Sequence, residues 1–277
     1  MLITEIVKIL TDAGIEQNEA DIEVKLLIEH FAGFSLIDIL TGKKLTDDKL
    51  KLVEEKAKLR ASTRKPIQYI TGLADFMGEK FLVNPSVLIP RDETELLVRK
   101  AVEIINKKNF SSILDIGTGS GCIACMIAKL TSSRVIGVDI SSNALHTAFS
   151  NMEKLELFNK AVFRKSDIFS TIRPDEKFDM IVANPPYVPP QMQQTIQKEV
   201  SFEPELALYT KDEKGLEFYE RITKEAPKYL NDGGYLMFEL GFGQSKDAAQ
   251  IMKDTGLREI TVLKDLANID RVIFCKK

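Results

Sequence analysis

The chain has 277 residues, 44% of them hydrophobic, enough for one large domain and a smaller companion. Its 38 Lys and Arg against 41 Asp and Glu leave a formal charge of −3, which argues against a surface built to coat nucleic acid through phosphate contacts. No apolar run reaches membrane-span length, the start Met1-Leu2-Ile3-Thr4-Glu5-Ile6-Val7-Lys8 lacks a basic leader with an apolar core, and three cysteines make no disulfide framework, so a cytoplasmic protein is expected.

Residues 1–65 carry helical patterns only. Ile22 and Leu26 interleave with Val24, Leu27, Ile28 and Phe31 in a broad apolar face. Thr46 ahead of Asp47 and Asp48 predicts a capped helix bearing Leu50, Val53 and Ala57. From Gln68 to Val83 the pattern turns to short β-type runs, Gln68-Tyr69-Ile70 and Phe81-Leu82-Val83, punctuated by Gly72 and Gly78. The predicted organisation is a helical bundle over 1–67, a β-hairpin linker over 68–90 and a main domain over 91–277. Pro90 stops the hairpin, and Asp92 to Glu95 open a helix with negative charge where its dipole favours it.

After Asn109 strands and helices alternate. The runs Ser112 to Ile116, Arg134 to Ile140, Ala161 to Ser166 and Phe178 to Ala183 read as strands. Gly121 to Leu130 and Asn143 to Lys154 read as helices between them. Gly215 to Leu230 predicts another helix, Gly234 to Leu240 a strand, and Gln244 to Asp254 a helix. Alternation of this kind implies an α/β fold, a mostly parallel sheet with helices on both faces. Leu257 to Leu263 and Arg271 to Cys275 follow without an intervening helix, which suits an antiparallel hairpin at the sheet edge.

Three strand ends carry chemistry. Ile113-Leu114-Asp115-Ile116 runs into Gly117-Thr118-Gly119-Ser120-Gly121, a glycine turn that lets backbone approach a ligand closely, followed by a helix. The spacing matches neither the dinucleotide fingerprint nor a P-loop. Asp139, ending the next strand, is placed to accept from both hydroxyls of a ribose; an N-cap is the alternative. Ser166-Asp167-Ile168 ends the third, where Asp167 can accept from an adenine amino group and Ile168 can cover the ring, unless Asp167 only closes a turn. Nucleoside contacts without a phosphate cradle point to S-adenosylmethionine.

Asn184-Pro185-Pro186-Tyr187 follows the apolar run Phe178 to Ala183. Two prolines lock φ and remove two donors, leaving nearby carbonyls and the Asn184 side-chain oxygen as acceptors. Such a slot suits a planar NH2 group, with Tyr187 as a flat wall; the bland reading is a proline-stiffened loop. Arg91 and Thr94, at a helix entrance, can support the methionyl end of the cofactor, or form a salt bridge and a cap. Cys122 and Cys125 have the spacing of a metal pair but lie in an apolar segment, so they read as core residues and no metal is expected.

These motifs, together with Pro66-Ile67-Gln68-Tyr69-Ile70-Thr71-Gly72, Phe76-Met77-Gly78, Leu88-Ile89-Pro90-Arg91 with Glu93-Thr94-Glu95, Asp139 to Leu145, Glu203-Pro204, Gly215-Leu216 and Asp270-Arg271, closely resemble the peptide chain release factor glutamine N5-methyltransferase family over nearly the whole chain. Asp92 stands where that family usually has proline, and Tyr209 to Lys214 lacks its usual glycine. The resemblance implies a Rossmann-like class I S-adenosylmethionine-dependent methyltransferase fold with a mostly parallel seven-stranded sheet. It implies a bundle that holds a protein substrate, and transfer to the glutamine of the Gly-Gly-Gln motif of class I release factors, in support of translation termination. Asn184, Pro185, Pro186 and Tyr187 then form the catalytic, substrate-binding slot. The cofactor falls to Gly117, Thr118, Gly119, Ser120, Gly121, Asp139, Asp167, Ile168, Asn184 and Thr94. A monomer without nucleic-acid or membrane partners is expected. Two rivals remain at this level: methylation of the exocyclic amine of adenine, and a cofactor-binding protein that only docks on a translation partner.

Overall fold

The computed structural model describes residues 3–35, 37–38 and 41–277. Met1 and Leu2 at the expected start, and Leu36, Ile39 and Leu40 in the expected bundle, lie outside the described residues. The chain forms two compact units, Met1–Leu73 with Gln197–Phe202, and Ala74–Ile196 with Glu203–Lys277.

The first unit is helical: α1 (Ile3–Asp12), α2 (Gln17–Leu27) continuing into a π-turn (Ile28–Ala32), α3 (Asp47–Thr63) and the short α4 (Ile67–Thr71). Ile6, Leu10, Val24, Leu27, Val53 and Ala57 are fully buried in its core. The buried stripe of α2 is Ala20, Glu23, Val24 and Leu27, spaced by three and four residues. Ile22 falls off that stripe and is 57% exposed, so the apolar face is narrower than the sequence suggests. Thr46 occupies the N-cap of α3 but its hydroxyl makes no capping bond. Arg60 of α3 is buried against Glu23, its Nη2 2.9 Å from Oε1, and reaches Glu199 at 2.9 Å. Glu199 belongs to a 3-10 turn (Lys198–Phe202), a segment that leaves the other unit and folds here.

The β-type reading of Gln68-Tyr69-Ile70 is corrected by α4, which starts after Pro66 and ends at Gly72 with φ 73°. Pro66 is pre-set for a helix start, and Ile67 and Ile70 turn the same way at a spacing of three into the helical core. A run this short has no period that separates strand from helix.

In the second unit, β1 (Leu73–Phe76) and β2 (Glu79–Leu82) form a two-stranded hairpin. Phe76 and Phe81 are buried in this unit's core, and Asn151 brackets Leu82, accepting from its N–H at 2.6 Å and donating to its carbonyl at 2.9 Å. After α5 (Asp92–Lys108) come β3 (Ser112–Ile116), α6 (Cys122–Leu130), β4 (Arg134–Asp139), α7 (Ser142–Lys154), β5 (Ala161–Lys165) and β6 (Phe178–Ala183). Next are a one-turn α8 (Glu205–Leu208), α9 (Glu217–Tyr229), β7 (Leu230–Glu239), α10 (Ser245–Asp254), β8 (Arg258–Lys264) and β9 (Asp270–Lys276).

The seven strands lie in the order β5-β4-β3-β6-β7-β9-β8. All neighbours from β5 to β7 are parallel, while β9 inserts antiparallel between β7 and β8. One buried cluster draws on α5, α6 and α7, the other on α9 and α10, so the sheet is covered on both faces. Chain order reverses between β3 and β6, which opens a crevice at the carboxyl ends of these strands. Among the described residues no helix is long and apolar enough to cross a membrane.

Candidate active site

The cradle begins where β3 runs out. Gly117 and Gly119 take φ of 72° and 55°, and a Cβ added at either would meet no protein atom closer than 3.9 Å, so the turn offers bare backbone to open space. The N–H groups of Gly117 and Thr118 donate to the Val138 carbonyl at 2.8 and 2.9 Å and tie the turn to β4. At the end of β4, Asp139 accepts from Gly119 N at 2.9 Å through Oδ2 and from Ser141 N at 2.8 Å through Oδ1. The carboxylate retains acceptor capacity beyond these bonds. Burial pushes this carboxyl up, against the backbone N–H groups that lower it, so further donors would stabilise its charged form.

These residues border a cavity of about 300 Å³ that also touches Val87, Ile168 and Asn184. Ile168 is buried at φ 53°, a left-handed conformation that costs a β-branched residue energy and is held here by packing beside Phe169 and by Ser166 Oγ, which donates to the Ile168 carbonyl at 2.9 Å.

At the far end, β6 delivers Asn184, Pro185 and Pro186 to the cavity wall. Asn184 Nδ2 donates to Thr94 Oγ1 at 3.3 Å, and Thr94 Oγ1 donates to Glu239 Oε2 at 2.6 Å. The Tyr187 hydroxyl donates to Glu239 Oε1 at 3.4 Å. Glu239 ends β7, beside Asn184, because Ala183 pairs with Phe238 in the parallel register. Burial pushes its carboxyl up to about 7, opposed by the Thr94 hydrogen bond and the Arg271 charge and reinforced by Glu93. The phenol of Tyr187 is raised by burial and by the Glu239 charge.

Behind the loop, Gln244 uses its whole amide: Nε2 donates to the carbonyls of Tyr187 and Lys214 at 3.0 Å, and Oε1 accepts from Gly241 N at 3.1 Å and Tyr219 OH at 3.2 Å. Gly215, at φ 73°, is the counterpart; a Cβ there would sit 2.2 Å from the Tyr187 carbonyl oxygen. Arg91 pairs with the buried Glu203, whose other oxygen accepts from Ile89 N at 3.1 Å. In the loop Tyr209 to Lys214, Asp212 accepts from the N–H groups of Leu216 at 2.8 Å and Glu217 at 3.1 Å and caps α9.

The structure brings most of the expected residues together. Gly117, Thr118, Gly119, Ser120, Asp139, Asp167, Ile168, Thr94 and Asn184 to Pro186 border one cavity. The Thr118 hydroxyl, however, turns inward to Asp115 Oδ2 at 2.6 Å, so only its backbone and Cγ side remain for a ligand. Gly121 sits behind the cavity, where a Cβ would be 3.0 Å from Ala148 and Phe163. Asp167 is already engaged by Arg221, which donates to both its oxygens at 2.8 and 2.9 Å. For Arg91 the salt bridge is the alternative realised. Tyr187 packs beside Gly241 and Gln244, behind the prolines. Cys122 and Cys125 are buried free thiols, and burial pushes Cys122 up to about 12. Sequence reasoning passed over Glu239 and Gln244. A lone acid closing the apolar run Tyr235-Leu236-Met237-Phe238 is the same signal that singled out Asp139.

Residues 1–72 match the family described as PrmC N-terminal domain, and residues 92–202 the Methyltransferase small domain. A release factor glutamine methyltransferase of Geobacter sulfurreducens is 37% identical over 95% of this chain and 91% of its own length. The chain belongs to the release factor glutamine methyltransferase family. A relative of the same name from Fusobacterium nucleatum is 42% identical over 83% of this chain, which spans 65% of that relative's length. Among solved structures, the hMettl16 catalytic domain in complex with MAT2A 3'UTR hairpin 1 shares the fold, at a TM-score of 0.61 and 17% identity over 80% of each chain.

Family membership makes the chain a methyltransferase with S-adenosylmethionine as its cofactor. The residues present fit that group. Bare backbone at Gly117 and Gly119 leaves room that a Cβ would fill, and Asp139 retains acceptor capacity for a diol.

Proposed function

We propose that this chain methylates the side-chain amide nitrogen, N5, of the glutamine in the Gly-Gly-Gln motif of class I release factors, and so supports translation termination. The observation that carries the reading is the orientation of Asn184. Its Nδ2 is donated to Thr94, which leaves Oδ1 as an acceptor at the cavity wall beside two prolines that have carbonyls and no N–H. A planar NH2 group is the complement of such a wall.

An amide nitrogen is a poor nucleophile because its lone pair is delocalised into the carbonyl. Bound S-adenosylmethionine supplies a methyl group made electrophilic by its sulfonium sulfur. Asn184 Oδ1 and the Pro185 carbonyl hold the two N–H groups of the amide, orient the nitrogen for in-line attack and favour its pyramidalisation; as the N–C bond forms and the C–S bond breaks, the alkylated nitrogen becomes acidic and loses one proton to solvent. Tyr187, its carbonyl held by Gln244 behind the prolines, stiffens the loop that presents them. On the cofactor side, Gly117 to Ser120 offer backbone, Asp139 accepts from ribose hydroxyls, Ile168 covers the base, and Asp167 with Arg221 lies at its edge. Replacing Asp139 by alanine should weaken cofactor binding by about 1.5–3 kcal/mol, as loss of a charge-assisted bond does. Calorimetry returning the wild-type affinity would remove Asp139 from this role.

Residues 1–67, with the rest of α4, are assigned to docking of the protein substrate and 91–277 to the transfer; the hairpin between them is confined to Leu73–Leu82. A glutamine side chain offers few contacts, so selectivity must come from distant surfaces. Because Gln197–Phe202 folds with the helical unit, cutting the chain near Pro66 would strand Glu199 without Arg60, and the test belongs on the intact protein. With methyl-labelled cofactor, the chain should methylate folded release factor with a kcat/KM at least about a hundredfold above that for a short Gly-Gly-Gln peptide, a ratio that remote binding energy can supply. Equal values would end the docking assignment, and labelling of DNA or ribosomal protein in place of release factor would end the proposed substrate.

A further inference from the structure

Half a turn of one amide decides whether the slot accepts an NH2 group or repels it. We infer that Glu239 and Thr94 are positioning residues that set the orientation of the Asn184 amide, and that protonation of Glu239 reverses it. The inference rests on the proposed transfer to an amide nitrogen.

Thr94 and Glu239 are each 2% exposed, so their hydrogen bonds are made mainly to one another and to their protein neighbours. An ionised carboxylate only accepts, so Thr94 must give its single proton to Glu239 Oε2, at 2.6 Å. The Thr94 oxygen can then only accept, and what it accepts is the NH2 of Asn184 at 3.3 Å. Oδ1 is thereby turned toward the slot. When Glu239 is protonated its O–H donates to Thr94, whose own proton becomes free to donate to Asn184. The amide rotates to present its oxygen to Thr94, and its NH2 then confronts the N–H groups of the substrate.

Several charged or titratable groups face Glu239 from the elements around it. Glu93 of α5 disfavours its charge, Arg271 of β9 favours it, and Tyr187 donates to Oε1. The Tyr219 hydroxyl of α9 lies 3.1 Å from the Glu239 backbone carbonyl, sharing its proton between that oxygen and Gln244 Oε1, and Cys122 of α6 is held as the neutral thiol by burial. Burial dominates this set and places the titration near 7. The competent form is the ionised one, so activity is present above that pH and is lost as pH falls through it.

Three measurements test the switch. In the cofactor-free protein, the side-chain NH2 signals of Asn184 in nitrogen-15 NMR should titrate with a single midpoint near 7. For release factor at saturating cofactor, kcat/KM should fall about tenfold per pH unit below that midpoint, the signature of one proton. Thr94→Val should flatten this limb and lower kcat about tenfold or more, as a misaligned donor set does, and Thr94→Ser, which restores the hydroxyl, should recover most of the loss. A flat wild-type profile, a limb that survives in Thr94→Val, a serine variant as poor as valine, or an Asn184 signal that does not move would each overturn the inference. Should Thr94→Val not fold, the wild-type NMR titration decides. That titration needs no substrate, so failure of the glutamine reaction itself is seen separately, as absence of methylation at every pH.

Discussion

Asn184→Ala is expected to lower kcat on release factor about 10²- to 10³-fold, or about 2.7–4 kcal/mol in the barrier, which is what loss of one preorganised acceptor costs. Cofactor affinity should change far less. The Asn184 oxygen matters most when the amide nitrogen leaves planarity, so its contribution grows between the bound state and the transition state. Removing the side chain also leaves the Thr94 hydroxyl without the NH2 it now accepts from. Stopped single-turnover kinetics and calorimetry separate the two quantities. Equal losses in rate and in cofactor affinity would make Asn184 a cofactor ligand and nothing more.

The second large effect is on stability. Arg60→Ala should destabilise the helical unit by about 3–5 kcal/mol, because it strands a buried carboxylate. Glu23 is 4% exposed and sits 2.9 Å from the guanidinium; burial already pushes its carboxyl up in spite of that partner. The same guanidinium holds Glu199, and so the segment Gln197–Phe202, within the unit. The double variant Arg60→Met, Glu23→Leu should recover most of the loss, since apolar groups of similar volume replace a buried pair at little cost. Hydrogen exchange of α1 to α3 and limited proteolysis at 197–202 read out both parts. If the single variant melts like wild type, the pair does not hold this segment.

Most of the fold was legible because its signals are local. Ile113 to Ile116 ending in a glycine turn, Arg134 to Asp139 ending in an acid, and Phe178 to Ala183 ending in Asn184 each announce a buried strand and its carboxyl end within a few residues. Since parallel strands place their carboxyl ends on one edge, the three ends had to converge, and with them the cradle, Asp139 and the slot. Gln68-Tyr69-Ile70 misled for the opposite reason: five residues of α4 hold too little period to distinguish helix from strand, and packing against the helical core decided the matter.

What the chain determined by itself was therefore the kind of each element and the chemistry at its end, because propensity, turn residues and apolar period act between near neighbours. Only the tertiary structure decided which ends touch. The order β7-β9-β8, the folding of Glu199 against Arg60, and the pairing of Ala183 with Phe238 join residues far apart in sequence. That last register sets Glu239 beside Asn184 and lays Thr94 between them. Shifted by one residue, β7 would have sent that carboxylate to the other face of the sheet, because side chains alternate along a strand, and no local property of Tyr235 to Leu240 encodes which register the packed sheet adopts.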